Sequence, residues 1–127
     1  MIIKRNITAD FRDKRGSITK ILDDGKTKIR SILMIDSKSG SIRSNHYHKK
    51  DSHWIYVFKG KMEYYEKSLK KGSKIKKVVL QPGDAIFTPP LFVHATKFLE
   101  KSLIFAFSTK SRNQKDYEED TIPYKLI

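Results

Sequence analysis

The chain has 127 residues, enough for one real core and too few for a separate cofactor domain, and 38% hydrophobic and 11% aromatic residues give it a globular composition. It contains no cysteine, which excludes disulfides, thiolate zinc sites and a cysteine nucleophile, and no apolar run approaches the ~20 residues that span a bilayer. With 27 basic against 14 acidic residues the formal charge is +13, a field that attracts phosphates, nucleic acids or acidic substrates without choosing among them.

Most of the basic residues are lysines scattered singly or in pairs, as in Lys49-Lys50, Lys70-Lys71 and Lys76-Lys77. No zinc-finger spacing or helical basic region accompanies them, so a solvated lysine surface is expected, with phosphate steering as the alternative, rather than a specific nucleic-acid partner. The N-terminus lacks the order of a secretory signal, and a cytoplasmic protein with no membrane partner is expected.

In chain order the sequence reads as short strands over residues 17–23, 28–36, 41–48, 53–59, 61–67, 74–80, 85–88, 93–99 and 102–108. Gly25, Gly40, Gly60, Gly72 and Pro82-Gly83 punctuate them with turns. Strands so closely spaced, with no amphipathic helix of three turns, predict an all-β sandwich or closed barrel. The run from Trp54 to Phe58 is apolar on both faces, which predicts one face in the interior and the other in a homodimer contact. After Arg112 the chain turns polar and acidic, with Asp116, Glu118, Glu119 and Asp120. This tail of a single domain over residues 1–127 is expected to wrap the outside or reach a partner subunit.

All four histidines lie between residues 46 and 94. Side chains two apart on a strand share a face, so His46 and His48 point together into whatever the strand encloses. An antiparallel return brings His53 near that pair, and a later strand carries His94 to close the group. Convergent neutral imidazoles suit one divalent transition metal such as Fe, Mn, Ni, Cu or Zn, with His46, His48, His53 and His94 as ligands. No organic cofactor is expected. Asp51 and Asp84 read as turn residues.

Two long segments resemble the motifs of the cupin superfamily. The first runs Gly40-Ser-Ile-Arg-Ser-Asn-His46-Tyr-His48-Lys-Lys-Asp-Ser-His53-Trp-Ile-Tyr-Val-Phe-Lys-Gly60, with His53 at the family's Glu position. The second runs Gly83-Asp-Ala-Ile-Phe-Thr-Pro89-Pro-Leu91-Phe-Val-His94, with Leu91 in place of a glycine. The resemblance implies a double-stranded β-helix, the jelly-roll cupin barrel. Within it, Gly40-x-x-Arg43-x-x-His46-Tyr47 and Asp13-Lys-Arg15-Gly16 are similar to segments of dTDP-4-dehydrorhamnose 3,5-epimerases. In length and layout the chain is similar to the short dTDP-4-oxo-6-deoxyglucose ketoisomerases, in which two histidines move protons without a metal.

Carried over residue by residue, the resemblance makes His46 and His48 the acid/base pair and Arg15 and Arg43 phosphate or sugar contacts, on a nucleotide-linked keto-deoxy sugar. Strict alternation would turn Arg43 away from His46 unless a bulge intervenes. Tyr56 is a candidate to stack on the substrate or donate a phenolic proton. His53 points elsewhere, because a fourth imidazole completes a ligand set where the ketoisomerases usually carry Gln. Three readings result: a nucleotide-sugar isomerase or epimerase, a metal-dependent oxygenase, lyase or isomerase of a small metabolite, and a non-catalytic small-molecule-binding cupin.

Overall fold

Short alternating runs bounded by turn glycines leave the chain little choice but antiparallel pairing, and the computed structural model, which describes residues 1–127, contains twelve strands and one helix. The strands are β1 (Ile2–Lys4), β2 (Phe11–Asp13), β3 (Gly16–Ile18), β4 (Ser31–Ser37), β5 (Ile42–His48), β6 (His53–Lys59), β7 (Met62–Ser68), β8 (Lys76–Leu80), β9 (Ala85–Thr88), β10 (Phe92–Phe98), β11 (Ser102–Ser108) and β12 (Thr121–Pro123). The helix α1 is Gln114–Asp120. One sheet runs β1-β9-β6-β11-β4 and the other β12-β5-β10-β7-β8, while β2 and β3 form a separate hairpin. These two facing antiparallel sheets are the expected jelly-roll. No helix is long and apolar enough to cross a membrane.

The inward positions of alternate residues supply the core: Ile55 and Val57 from β6, Met62 and Tyr64 from β7, Leu80, Ile86, Phe98, Ile104 and Ala106. Each large side chain so buried stabilises the fold by ~1.5–3 kcal/mol. Further along β5, β6 and β10 the inward residues become His46, His48, His53 and His94, so the space between the sheets passes from packed core to polar cavity.

Between β6 and β7 the chain turns at Gly60, whose φ of +90° favours glycine, and a Cβ there would lie 2.1 Å from Ser102 Oγ. Leu91, which stands where the second motif has glycine, adopts φ 64° and carries the strain a Cβ brings to that region.

Several expected boundaries differ. The strand expected over residues 17–23 survives only as β3, paired with the unanticipated β2 through Phe11↔Ile18. The strand expected over residues 28–36 begins at Ser31. At the N-terminus β1 gains its pairing from the edge of β9. The tail forms α1, none of whose residues is buried, and then β12, which adds to the edge of its sheet by pairing with β5 as Thr121↔His48, Ile122↔Tyr47 and Pro123↔His46.

Candidate active site

The bulge that Arg43 required is present. Pairing of β10 with β5 runs His94↔His46 and then Ala95↔Ser44, which leaves Asn45 without an opposite residue. Ser44 (φ 70°) and Asn45 (φ 54°) both take left-handed backbone, and Asn tolerates it better than most residues. The extra residue brings Arg43 to the same side as His46, and both line one cavity. Arg43 Nε donates to Ser37 Oγ at 2.8 Å and Nη2 to the Asp36 carbonyl at 3.0 Å. Asn45 Oδ1 accepts from the Leu126 and Ile127 amides at 2.8 and 3.1 Å, so the same bulge ties down the C-terminus.

The four imidazoles meet in this cavity. Ring centroids lie 4.7 Å apart for His46–His48 and His46–His94, 5.2 Å for His53–His94, 5.5 Å for His48–His94 and 5.6 Å for His48–His53. Three of them are gripped from behind. His94 Nδ1 donates to the Phe92 carbonyl at 3.1 Å, His53 Nδ1 sits 3.3 Å from Asp51 Oδ2, and His48 Nδ1 sits 3.1 Å from Thr121 Oγ1. A carbonyl and an ionised carboxylate only accept, so His94 and His53 carry their proton on Nδ1 and leave the Nε2 lone pair free.

Burial, reinforced by the neighbouring histidines, lowers the pKa of His46 to about 3 and of His48 to about 4, and pushes His94 well below the usual range. These three rings are therefore neutral at pH 7.

The cavity measures about 1120 Å³. Its wall and rim carry Arg30, Arg43, Lys49, Lys50, Lys110 and Arg112, interleaved with Asp36, Asp51, Asp116, Glu119 and Asp120.

Compared with known proteins, residues 22–122 match the family model described as Cupin. The chain belongs to the cupin family. No curated protein matches its sequence. Among solved structures, this cupin is similar to a 3,4-ketoisomerase from Helicobacter canadensis, with TM-score 0.75 and 22% identity over 96% of this chain and 90% of that one. It is similar to a dTDP-4-dehydrorhamnose 3,5-epimerase from Sulfolobus tokodaii, with TM-score 0.70 and 24% identity over 84% of this chain and 69% of that one. A third is the 3,4-ketoisomerase QdtA from Thermoanaerobacterium thermosaccharolyticum, solved as a histidine-to-asparagine mutant with TDP-4-keto-6-deoxyglucose, with TM-score 0.72 and 17% identity over 94% of this chain and 86% of that one.

In this cupin His46, His48, His53, His94 and Arg43 come together, while two other candidates lie apart. Arg15, its side chain 80% exposed on the β2–β3 hairpin, pairs with Asp13 at 2.6 Å. Tyr56 lies on the outer face of its sheet, because the neighbouring Ile55 and Val57 point into the core. Several site residues lie outside the sequence reading.

Asp51, read as a turn residue, is buried and accepts from Ser108 Oγ at 2.8 Å and from the Lys110 amide at 3.2 Å. Burial raises its pKa, but hydrogen bonds from His53 and Ser108 more than offset this and hold it below the usual carboxylate range. The tail adds Tyr117, its ring 6.2 Å from His46 and 6.0 Å from His48, with the Arg112 guanidinium stacked on it at 3.4 Å.

The donor set also fits a metal. Ligand atoms of His46, His48 and His94 lie within 4.8 Å of one another, as do those of His48, Asp51 and His53. Neutral imidazoles with anchored rear nitrogens are the form that binds a divalent transition metal.

Proposed function

We propose that this cupin isomerises or epimerises a nucleotide-linked keto-deoxy sugar by proton transfer next to the carbonyl. The observation that carries the reading is the group of convergent imidazoles, three held neutral, on the wall of a cavity whose rim bears six cationic side chains. A neutral imidazole takes a proton from the carbon beside a ketone, and a second ring or the same one returns a proton to the enediol. Asp51 stands behind His53, where its charge offsets the imidazolium formed when that ring takes up a proton. In this reading Tyr117, its ring 6.2 Å from His46, hydrogen-bonds the developing enolate oxygen, and the cavity-lining Arg30, Lys110 and Arg112 hold a diphosphate, so that remote binding energy positions the sugar. Arg15 stays outside this site within one chain. Several structurally similar proteins are sugar-nucleotide epimerases and ketoisomerases, which supports the same substrate class here.

Two measurements test the reading. At 100 times its dissociation constant, TDP or TDP-4-keto-6-deoxyglucose should stabilise the fold by about 2.7 kcal/mol, read as a melting shift. In D₂O the enzyme should place deuterium beside the sugar carbonyl, and His46→Asn combined with His48→Asn should abolish this. No melting shift with dTDP-, UDP- or GDP-sugars, together with no exchange, would sink the proposal.

A second reading is supported by His53, whose imidazole brings a fourth nitrogen donor beside His48 and His94. A bound divalent transition metal supplies a Lewis acid that polarises a carbonyl oxygen. The chain keeps His46, His48 and His94 neutral and holds Nδ1 of His48, His53 and His94 from behind. Elemental analysis of protein purified without a nickel column decides it: stoichiometric metal that falls in His53→Gln supports the reading, and metal-free wild type removes it. We also propose a homodimer through the outer face of the β1-β9-β6-β11-β4 sheet, where Ile32 and Met34 are exposed.

A further inference from the structure

Three consecutive amides of the β5–β6 loop converge on one residue of the tail. Lys49 N donates to the Asp120 carbonyl at 2.9 Å, Lys50 N to Oδ1 at 2.8 Å and Asp51 N to Oδ2 at 3.0 Å. Successive N–H groups form a cradle for an anion, and here the Lys50 and Asp51 amides cradle the Asp120 carboxylate while the Lys49 amide holds its main-chain carbonyl. The cradled loop ends in Asp51, whose carboxylate faces His53 Nδ1 at 3.3 Å. The residue after Asp120 is Thr121, whose hydroxyl lies 3.1 Å from His48 Nδ1. One point of attachment therefore stands behind two of the four rings.

The helix that leads to it is held by little else. No residue of α1 is buried, so its position depends on its two ends, and the C-terminal end is the Asp120 cradle followed by the β12 pairing. Ser108 and Lys110 also grip the Asp51 carboxylate, from the β11 side, so Asp120 fixes the backbone of Asp51 rather than its charge.

We propose that Asp120 is a positioning residue that orients two site histidines at once, His53 through the β5–β6 loop and Asp51, and His48 through Thr121. Its effect on the rings follows from the geometry, which besides these relays includes a direct approach of Asp120 Oδ2 to His48 Nδ1 at 3.7 Å; its effect on turnover rests on the isomerase reading. His94 provides an internal control, because its Nδ1 is held by the Phe92 carbonyl, outside the network.

The test is long-range ¹H–¹⁵N correlation spectroscopy of the imidazoles at fixed pH in chelator, which reports ring tautomer and environment, with circular dichroism to confirm the fold. Asp120→Ala should displace the His48 and His53 resonances and leave His94 in place. Asp51→Asn should move His53 most, with a smaller shift of His48, whose ligand atoms lie within 4.8 Å of the same carboxylate, and Thr121→Val should move His48 and leave His53 in place. Should Asp120→Ala fail to fold, Asp120→Asn, which keeps one acceptor, should displace the same two rings by less. Unchanged His48 and His53 signals in a folded Asp120 variant overturn the proposal, as does an equal displacement of His94. Where wild type exchanges deuterium into TDP-4-keto-6-deoxyglucose, Asp120→Ala should lower kcat by about 10–100-fold with little change in KM, the magnitude typical of outer hydrogen-bond partners of site histidines. Absence of exchange in wild type removes the isomerase reading, and the spectra still decide the role of Asp120.

Discussion

A histidine in an unfolded chain titrates near 6.5, whereas burial holds His46 at about 3 and His48 at about 4 in the folded protein. Between those values the unfolded chain binds protons that the folded one refuses, so stability is present above pH 6.5 and is lost as the pH falls below it. At pH 5 each such ring should remove about 2 kcal/mol. Urea unfolding in chelator at pH 7 and pH 5 should therefore show His46→Asn losing about 2 kcal/mol less than wild type across that step. Equal losses would mean that His46 is not desolvated as the structure shows. Residue parity made much of this site readable: period-two alternation puts His46 and His48 on one face, and the parity that turns His53 inward turns Tyr56 outward, so the position of Tyr56 was also there to be read. Arg43 was harder, since its direction depends on the Ser44-Asn45 bulge, which has no alternating signature. Asp51 was unreadable because its partners Ser108, Thr109 and Lys110 are 57 to 59 residues away.

At the scale of elements, the strands from β5 to β11 fall close to where alternation and turn glycines put them, because both signals are local. Gly60 shows how firmly one such turn is specified. At φ +90° an alanine Cβ would sit 2.1 Å from Ser102 Oγ and 2.6 Å from the Lys101 carbonyl, and a backbone carbonyl does not step aside cheaply. Gly60→Ala should cost roughly 2–5 kcal/mol, combining backbone strain with overpacking. Gly72, at φ +82° with nothing within 4 Å of a Cβ, isolates the first term, and Gly72→Ala should cost only about 1–2 kcal/mol. Equal losses in denaturant melts of the two variants would show that the Ser102 contact is not the constraint. The elements that escaped sequence reading lack local signals. β1 and β12 are three residues long, too short for a period, and owe their existence to the edges of β9 and β5. The seven residues of α1 bury none of their side chains, so they show no apolar stripe; the one available sign was Asn113, whose Oδ1 caps the Lys115 amide at 3.0 Å.

Across the whole molecule, the outer face of the first sheet is unusually apolar. Register aligns Ile32, Phe107, Trp54, Phe87 and Ile2 in one row across all five strands, with Met34, Phe105 and Tyr56 in the next. Ile32 is 64% and Met34 68% exposed, and Trp54 Nε1 is a buried donor with no acceptor. At ~4.8 Å between strands and ~6.6 Å between rows these eight side chains cover roughly 250 Å² of sheet, a contiguous apolar patch approaching the size that is often functional. The occupant proposed above is a second copy. An isologous pair sets this face against its own copy, and its charged residues, Lys4, Lys59 and Asp36, stand at the margins. With +13 on each chain, pairing through this face juxtaposes few like charges, and the remaining repulsion is screened by salt. Sedimentation at micromolar concentration should give a dimer that tightens as NaCl rises from 0.05 to ~0.5 M, where the Debye length falls to a few ångströms. Met34→Glu, which puts a charge into the apolar face of both copies, should give monomers with an unchanged melting profile at low concentration. A wild-type monomer at every salt concentration would leave the apolar face to some other partner, whereas a dimer that loosens with salt would place the contact on charged surface instead.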